Sequence, residues 1–251
     1  MLAKTCIALY HEGMTQETQS PESQEPPFTV KIVPVTPFQQ NCSLILAPNG
    51  DMAIVDPGGE VDRLLAEAEA MGGTVKKIWL THGHLDHASG AMELKDRTGA
   101  IIEGAHQEET FWLSQISEQV KRFGMDADAR NVVPDRWLDD GDEVELGGNI
   151  FQVVFTPGHT PGHVIFYNEP TKLAFVGDVI FKGSIGRTDF PRGDHQTLIN
   201  SITQKLWPLG NDVRFVPGHG PMSTFGAERA TNPFVGDAVV GAAGPNSQGP
   251  G

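Results

Sequence analysis

The chain has 251 residues and a formal net charge of −14, a balance that counts against nucleic acid or an anionic membrane surface as its partner. Hydrophobic residues make up 39%, enough for a core of ordinary size. No apolar run is long enough for a membrane-spanning helix, and two cysteines exclude a disulfide scaffold. Nine histidines, 29 glycines and 18 prolines mark a loop-rich chain with more imidazole than a packed core needs.

Residues 1–27 are expected to be a disordered tail, because Thr15 to Pro27 is polar and acidic with no apolar period. The apolar stretch after Lys4 is too short for a signal peptide and no small-residue cleavage site follows, so a cytoplasmic protein is expected. Residues 28–235 are expected to form one domain, and 236–251, rich in Gly, Ala and Pro, a flexible tail. Runs at 28–35, 43–47 and 52–56 read as consecutive antiparallel strands broken by Pro, Asn and Gly. Residues 60–71 place Val61, Leu64, Leu65, Ala68 and Met71 on one helix face closed by Gly72-Gly73. A buried strand at 75–80, a helix at 88–98, a strand at 100–103 and a long helix at 107–123 follow.

The second half has strands at 143–146, 150–156, 164–167 and 173–176. A helix at 194–207 turns Leu198, Ile199, Ile202 and Leu206 inward, and a strand at 213–216 precedes a short helix near 223–229. Strand groups alternating with helices predict an α/β fold, two sheets packed together with helices on the outer faces.

The histidines concentrate at strand ends. Strand 75–80 runs into Thr81-His82-Gly83-His84-Leu85-Asp86-His87, too many ligand-type side chains for one stretch of core. Alternation turns His82 and His84 the same way while the chain is extended, and Asp86 and His87 fall on the turn into a helix, aimed at a second point. Three later strands end in a ligand: 150–156 in Pro157-Gly158-His159, 173–176 in Gly177-Asp178, and 213–216 in Pro217-Gly218-His219. Five His and two Asp suit two divalent metal ions, zinc first, with iron or manganese next. His163, one short turn past His159, is read as bracing a ligand. His106, His195 and His11 have no ligand spacing, and His195 is read as a surface or capping residue.

The set His82-x-His84-x-Asp86-His87 with His159, Asp178 and His219 resembles the metallo-β-lactamase superfamily over residues 28 to about 234. That resemblance implies an αββα sandwich of two mixed sheets with the metals at one edge. It implies that His82, His84 and His159 hold the first metal and Asp86, His87 and His219 the second, with Asp178 and a hydroxide bridging them. Phe181 to His195 (FKGSIGRTDFPRGDH), Pro217-Gly218-His219-Gly220-Pro221 and Glu228 to Pro233 look like the short, single-domain bacterial type II glyoxalases.

Those enzymes are hydroxyacylglutathione hydrolases, which cleave S-lactoylglutathione to lactate and glutathione, so the implied partner is a small glutathione thioester. The implied catalytic carboxylates are Asp178 and Asp86, the latter orienting the hydroxide. Arg187, expected to pair with Asp189 beside Asp178, and Lys182 are the candidate substrate contacts. A persulfide dioxygenase using one iron shares the His82 segment and Gly186 to Phe190, but its last ligand region departs from the Pro217–Pro221 form. A hydrolase of another acylthioester is the other alternative. A zinc β-lactamase is disfavoured because Asp178 stands where the commonest subclass has a cysteine. The sequence leaves the oligomeric state open.

Overall fold

The computed structural model describes residues 27–124 and 129–241. The expected tail at 1–27 lies, but for Pro27, outside the described residues, together with 242–251. One sheet holds β1 (Thr29–Val35), β2 (Gln40–Leu46), β3 (Asp51–Val55), β4 (Thr74–Leu80) and β5 (Ile101–Gly104) in that spatial order. Its first three strands are antiparallel, as their short connections predict, and β3, β4 and β5 run parallel.

The second sheet is built from β6 (Glu143–Leu146), β7 (Asn149–Phe155), β8 (Val164–Asn168), β9 (Leu173–Gly177), β12 (Arg214–Pro217) and β13 (Ser223–Thr224). Only β9 and β12 pair parallel there. A hairpin of β10 (Ile180–Phe181) and β11 (Ser184–Ile185), not visible as an apolar run, stands apart from both sheets.

Strand alternation explains the layering, because successive side chains leave opposite faces of a sheet. In β3, Met52 and Ile54 join one core cluster while Ala53 and Val55 join another; in β4, Ile78 and Leu80 part from Trp79 in the same way. The first cluster packs the outer face of this sheet against α1 (Val61–Ala70), α3 (Ala91–Thr98) and α5 (Ile116–Phe123), through Leu64, Leu94, Ile116 and Val120. The second cluster lies between the sheets, where Trp79 meets Phe151 at 5.0 Å and Phe166 at 5.3 Å between ring centroids.

The second sheet repeats the device. Val164 and Phe166 face inward, while Ile165 and Tyr167 face out against Leu198, Ile202 and Phe225. Those last three belong to the helical stretch from α6 (His195–Ser201) through the Ile202–Leu206 turn, and to α7 (Phe225–Thr231). The result is the expected αββα sandwich with three stacked apolar layers.

Several expected helices are broken. The stretch 88–98 is α2 (Leu85–Ala88) and α3, parted where the Gly90 N–H leaves the helix to reach the Pro57 carbonyl at 2.9 Å. The stretch 107–123 is a 3₁₀ turn (Gln107–Glu109), α4 (Thr110–Leu113) and α5. The Gln115 side chain donates to the Phe111 carbonyl at 2.6 Å, and Asn131 accepts from both Ser117 N–H and Oγ–H. Side chains thus serve the backbone groups at the break and compete with a continuous helix. The stretch 194–207 starts as α6, capped by Asp194 accepting from Thr197 N–H at 2.7 Å, then widens into a π turn and ends near Pro208. His195 is exposed in its first turn and is not the cap.

The expected second tail begins with an ordered turn. Residues Asp237–Val240 form α8, held by a double contact of the Arg229 guanidinium with Asp237 at 3.2 Å and preceded by fully buried Val235.

Candidate metal centre

The edge of the sandwich gathers the loops that leave β4, β7, β9 and β12. His82, His84 and His159 form one group of side chains able to hold a metal ion, and Asp86, His87 and His219 a second. Asp178 lies between them, with Oδ2 at 3.6 Å from both His159 Nε2 and His219 Nε2, and Oδ1 at 3.3 Å from His87 Nε2. All seven residues predicted as ligands therefore meet in one place.

The chain reaches this geometry through glycine. Gly218 sits where a Cβ would run into Asp178 Oδ1 and the His87 ring, so any side chain would push the two ligand groups apart. Gly158, at φ +134°, occupies backbone that favours glycine and lies against the Leu198 backbone of α6.

Tautomers follow from what the other ring nitrogens do. The Thr81 hydroxyl donates to Asp56 Oδ2 at 2.6 Å, so it accepts from His82 Nδ1–H at 3.0 Å and leaves His82 Nε2 a bare lone pair. His159 Nδ1–H donates to the Arg187 carbonyl at 2.7 Å, freeing Nε2. Both free atoms converge on His84 Nδ1, at 3.2 and 3.0 Å. Three ring nitrogens this close repel unless a cation, or a proton on His84 Nδ1, sits among them.

In the second group, His87 Nδ1–H donates to Asp56 Oδ2 at 2.9 Å and His219 Nδ1–H to the Phe38 carbonyl at 3.2 Å. Each turns Nε2 toward the carboxylates, and His219 Nε2 lies 3.2 Å from Asp86 Oδ2. The buried atoms His87 Nε2 and Asp178 Oδ1 make no hydrogen bond. A pair of divalent cations fits this donor set, because these two orphaned atoms then gain a partner.

The two groups differ in charge. Burial first, then neighbouring imidazoles, holds His82 neutral and brings the His84 pKa down to about 3. Burial likewise lowers His159. Burial opposes a charge on His87 as well, but the carboxylates of Asp178, Asp86 and Asp56 outweigh it and raise the ring's pKa. His219 is raised against burial by Asp86 and Asp178. Asp178 is held well below the usual carboxylate range by His87 and His159 despite its burial.

His163 is fully buried, stacks on His82 at 4.7 Å, and its Nε2 accepts the Asp178 N–H at 3.1 Å. Its lone pair is thereby used, and it faces a ligand's backbone. Arg187 pairs with Asp189 through two contacts of 2.7 Å and lies over the Phe190 ring at 4.1 Å. Lys182 is exposed on the tip of the β10–β11 hairpin, outside the residues that line the cleft. A two-residue hairpin tip has no sheet face to turn inward, so its long charged side chain stays in solvent.

That cleft has a volume of about 720 Å³ and opens onto His84, Asp86, His159, Asp178 and His219. Its walls are largely aromatic, from Phe38, Phe111, Trp112, Phe123, Phe181 and Phe190, with Arg187 at one side.

Two buried carboxylates escaped sequence reading. Asp56 accepts Thr81 N–H at 2.7 Å as well as the Thr81 hydroxyl and His87. It also falls within a third ligand-like group with His82 and His87, but its oxygens are filled by these donors, which makes it an orienting residue. Glu109 is fully buried, and burial pushes its pKa up to about 7 against the hydrogen bonds it accepts from Gly83 and Gly162. Asp56 ends strand 52–56 in the same way that the recognised ligands end theirs, a signal that was available. Glu109 has no such mark.

The chain is similar to known proteins. The model of the metallo-beta-lactamase superfamily matches residues 35–219. Hydroxyacylglutathione hydrolase GloC of Haemophilus influenzae is 48% identical over 208 residues, covering 82% of this chain and 97% of that protein. Among solved structures, the BLEG-1 B3 metallo-beta-lactamase aligns at 33% identity with a TM-score of 0.76, covering 82% of this chain and 99% of that one. TTHA1623, solved in a di-iron-bound form, aligns at 34% identity and a TM-score of 0.73, covering 81% and 99%.

Proposed function

The chain belongs to the metallo-β-lactamase superfamily and is a metallo-hydrolase of it; we propose that it is a cytoplasmic thioesterase that cleaves glutathione thioesters of the S-lactoylglutathione type. The observation that carries this reading is the convergence of six ligand-type side chains in two groups about Asp178, at the floor of an aromatic cleft. It is supported by the 48% identity to a hydroxyacylglutathione hydrolase. No helix among the described residues is long and apolar enough to cross a membrane.

In this reading His82, His84 and His159 would hold one ion and Asp86, His87 and His219 the other, with the Asp178 carboxylate available to both. Zinc is proposed ahead of iron or manganese. Two divalent ions there would supply Lewis acidity, both to ionise water near neutral pH and to polarise a carbonyl.

The chain's own groups do the rest. Asp86, held ionised by His87 and His219 against its burial, accepts the proton of the attacking water and orients it. The leaving group is a thiolate of low basicity, so no strong acid is needed beside it. The aromatic walls desolvate the acyl group, and Arg187 stands at the cleft side for a carboxylate of the tripeptide.

The test couples elemental analysis to an assay of S-lactoylglutathione and a series of other acylthioesters. Two metal ions per chain and thioester cleavage are expected. Metal-loaded protein that turns over no acylthioester would sink the reading, and one iron with oxygen uptake on glutathione persulfide would favour dioxygenase chemistry instead.

A further inference from the structure

The three side chains of the first group come from two separate loops, one following β4 and one following β7. The sheet that carries β4 is not the sheet that carries β7. Something other than a β-ladder must therefore fix how far apart these loops stand. One main-chain bond helps, from Val164 N–H to the Thr81 carbonyl at 2.9 Å. The loop tips themselves are joined by a side chain.

Glu109 lies at the end of the 3₁₀ turn before α4, with no exposed surface. Its Oε2 accepts Gly83 N–H at 2.8 Å, and Oε1 accepts Gly162 N–H at 2.7 Å. Gly83 is the residue between His82 and His84, and Gly162 lies between His159 and His163. A Cβ on Gly83 would press on Glu109 Oε2, and one on Gly162 would meet the Glu109 backbone. Both loops are thus shaped to admit this carboxylate.

Burying a carboxylate is expensive, and an apolar side chain of similar volume would fill the space without that cost. A carboxylate spans two N–H donors with two oxygens in one plane, which neither a glutamine nor an apolar residue can do.

Resting on the metal-centre reading above, we infer that Glu109 is a positioning residue for the first ion: it clamps the Gly83 and Gly162 amides together and so sets the spacing of His82 and His84 against His159. It touches none of the second group, so its effect is confined to one of the two sites.

That confinement supplies the test. Zinc affinity is measured by chelator competition in two backgrounds, His219→Ala, which leaves the first group whole, and His84→Ala, which leaves the second. Glu109→Gln should weaken zinc binding about 10–100-fold in the His219→Ala background, the usual cost of losing an outer support, and leave the His84→Ala background unchanged. Circular dichroism of the metal-free proteins monitors folding. If Glu109→Gln does not fold, Glu109→Asp replaces it, since the shorter side chain cannot reach both amides. An equal loss in both backgrounds would reduce Glu109 to a structural residue and overturn the inference, as would no loss in either. Wild-type protein that binds no zinc, iron or manganese would overturn the metal-centre reading itself and the clamp with it.

Discussion

Asp178 Oδ1 stands 3.3 Å from His87 Nε2, and neither buried atom makes a hydrogen bond. The same carboxylate reaches toward His159 and His219 with its other oxygen. A carboxylate so placed has three imidazole neighbours and one unpartnered oxygen, which suits the proposed role of a ligand shared between two ions.

Asp178→Asn should therefore remove the link between the two sites. Metal content measured by elemental analysis is expected to fall from two ions per chain toward one. Thioesterase kcat is expected to drop on the order of 10²–10³-fold, because an ion that activates a nucleophile is worth several kcal/mol. Retention of both ions with unchanged kcat would remove Asp178 from the centre.

The two groups should lose metal at different pH. Protons compete with metal only for rings that take them up. His82, His84 and His159 have lowered pKa values, His84 near 3, so as pH falls they take up protons after the rings of the second group. His87 and His219 are raised above 6.5, so protons already compete near neutrality and win as pH falls. Dialysis at pH 8, 7, 6 and 5.5 should release the second ion first, giving one ion per chain across the lower part of the range. Release of both ions in a single step would contradict this order.

Asp56 supports the second group from behind. Asp56→Ala would leave Thr81 N–H and His87 Nδ1–H buried without acceptors, at about 1–3 kcal/mol for each unsatisfied group. Thermal unfolding of the metal-free protein should register that loss. Because the His87 ring also loses its orienting partner, zinc affinity at the second group should fall about 10–100-fold. Asp56→Asn, which keeps one acceptor oxygen, should fall between the two.

Much of this was readable in the sequence, and the reasons for the exceptions are physical. His82, His84, Asp86 and His87 announce themselves by crowding, and His159, Asp178 and His219 by ending apolar strands in glycine turns. The alternation of Val164, Ile165, Phe166 and Tyr167 gives a buried strand, but both its faces are apolar, so the pattern alone does not say which face meets the other sheet. Asp56 and Glu109 act across 31 and 53 residues of sequence. In the sequence the first only closes the strand run 52–56 and the second lies within the stretch 107–123 read as one helix. The long helix at 107–123 failed because its periodicity is sound on either side of Ser114-Gln115, while the break is favoured by side-chain hydrogen bonds, from Gln115 to the Phe111 carbonyl and from Ser117 to Asn131.

The cleft wall separates the two basic residues that sequence reading grouped together. Arg187 lines the cleft, yet its guanidinium is engaged by Asp189 and Phe190, while its carbonyl holds His159. Replacing the side chain leaves that carbonyl in place. Arg187→Ala should therefore keep both metal ions and raise KM for a glutathione thioester about 2–5-fold, the range expected when one exposed charged contact is lost. Lys182 points into solvent from the hairpin tip, so Lys182→Ala should leave kcat/KM within about twofold of wild type. Steady-state kinetics with zinc-loaded protein decides both points. A loss of metal in Arg187→Ala would mean that the loop, and not the substrate, depends on the guanidinium. A large rise in KM for Lys182→Ala would return the hairpin tip to the binding surface.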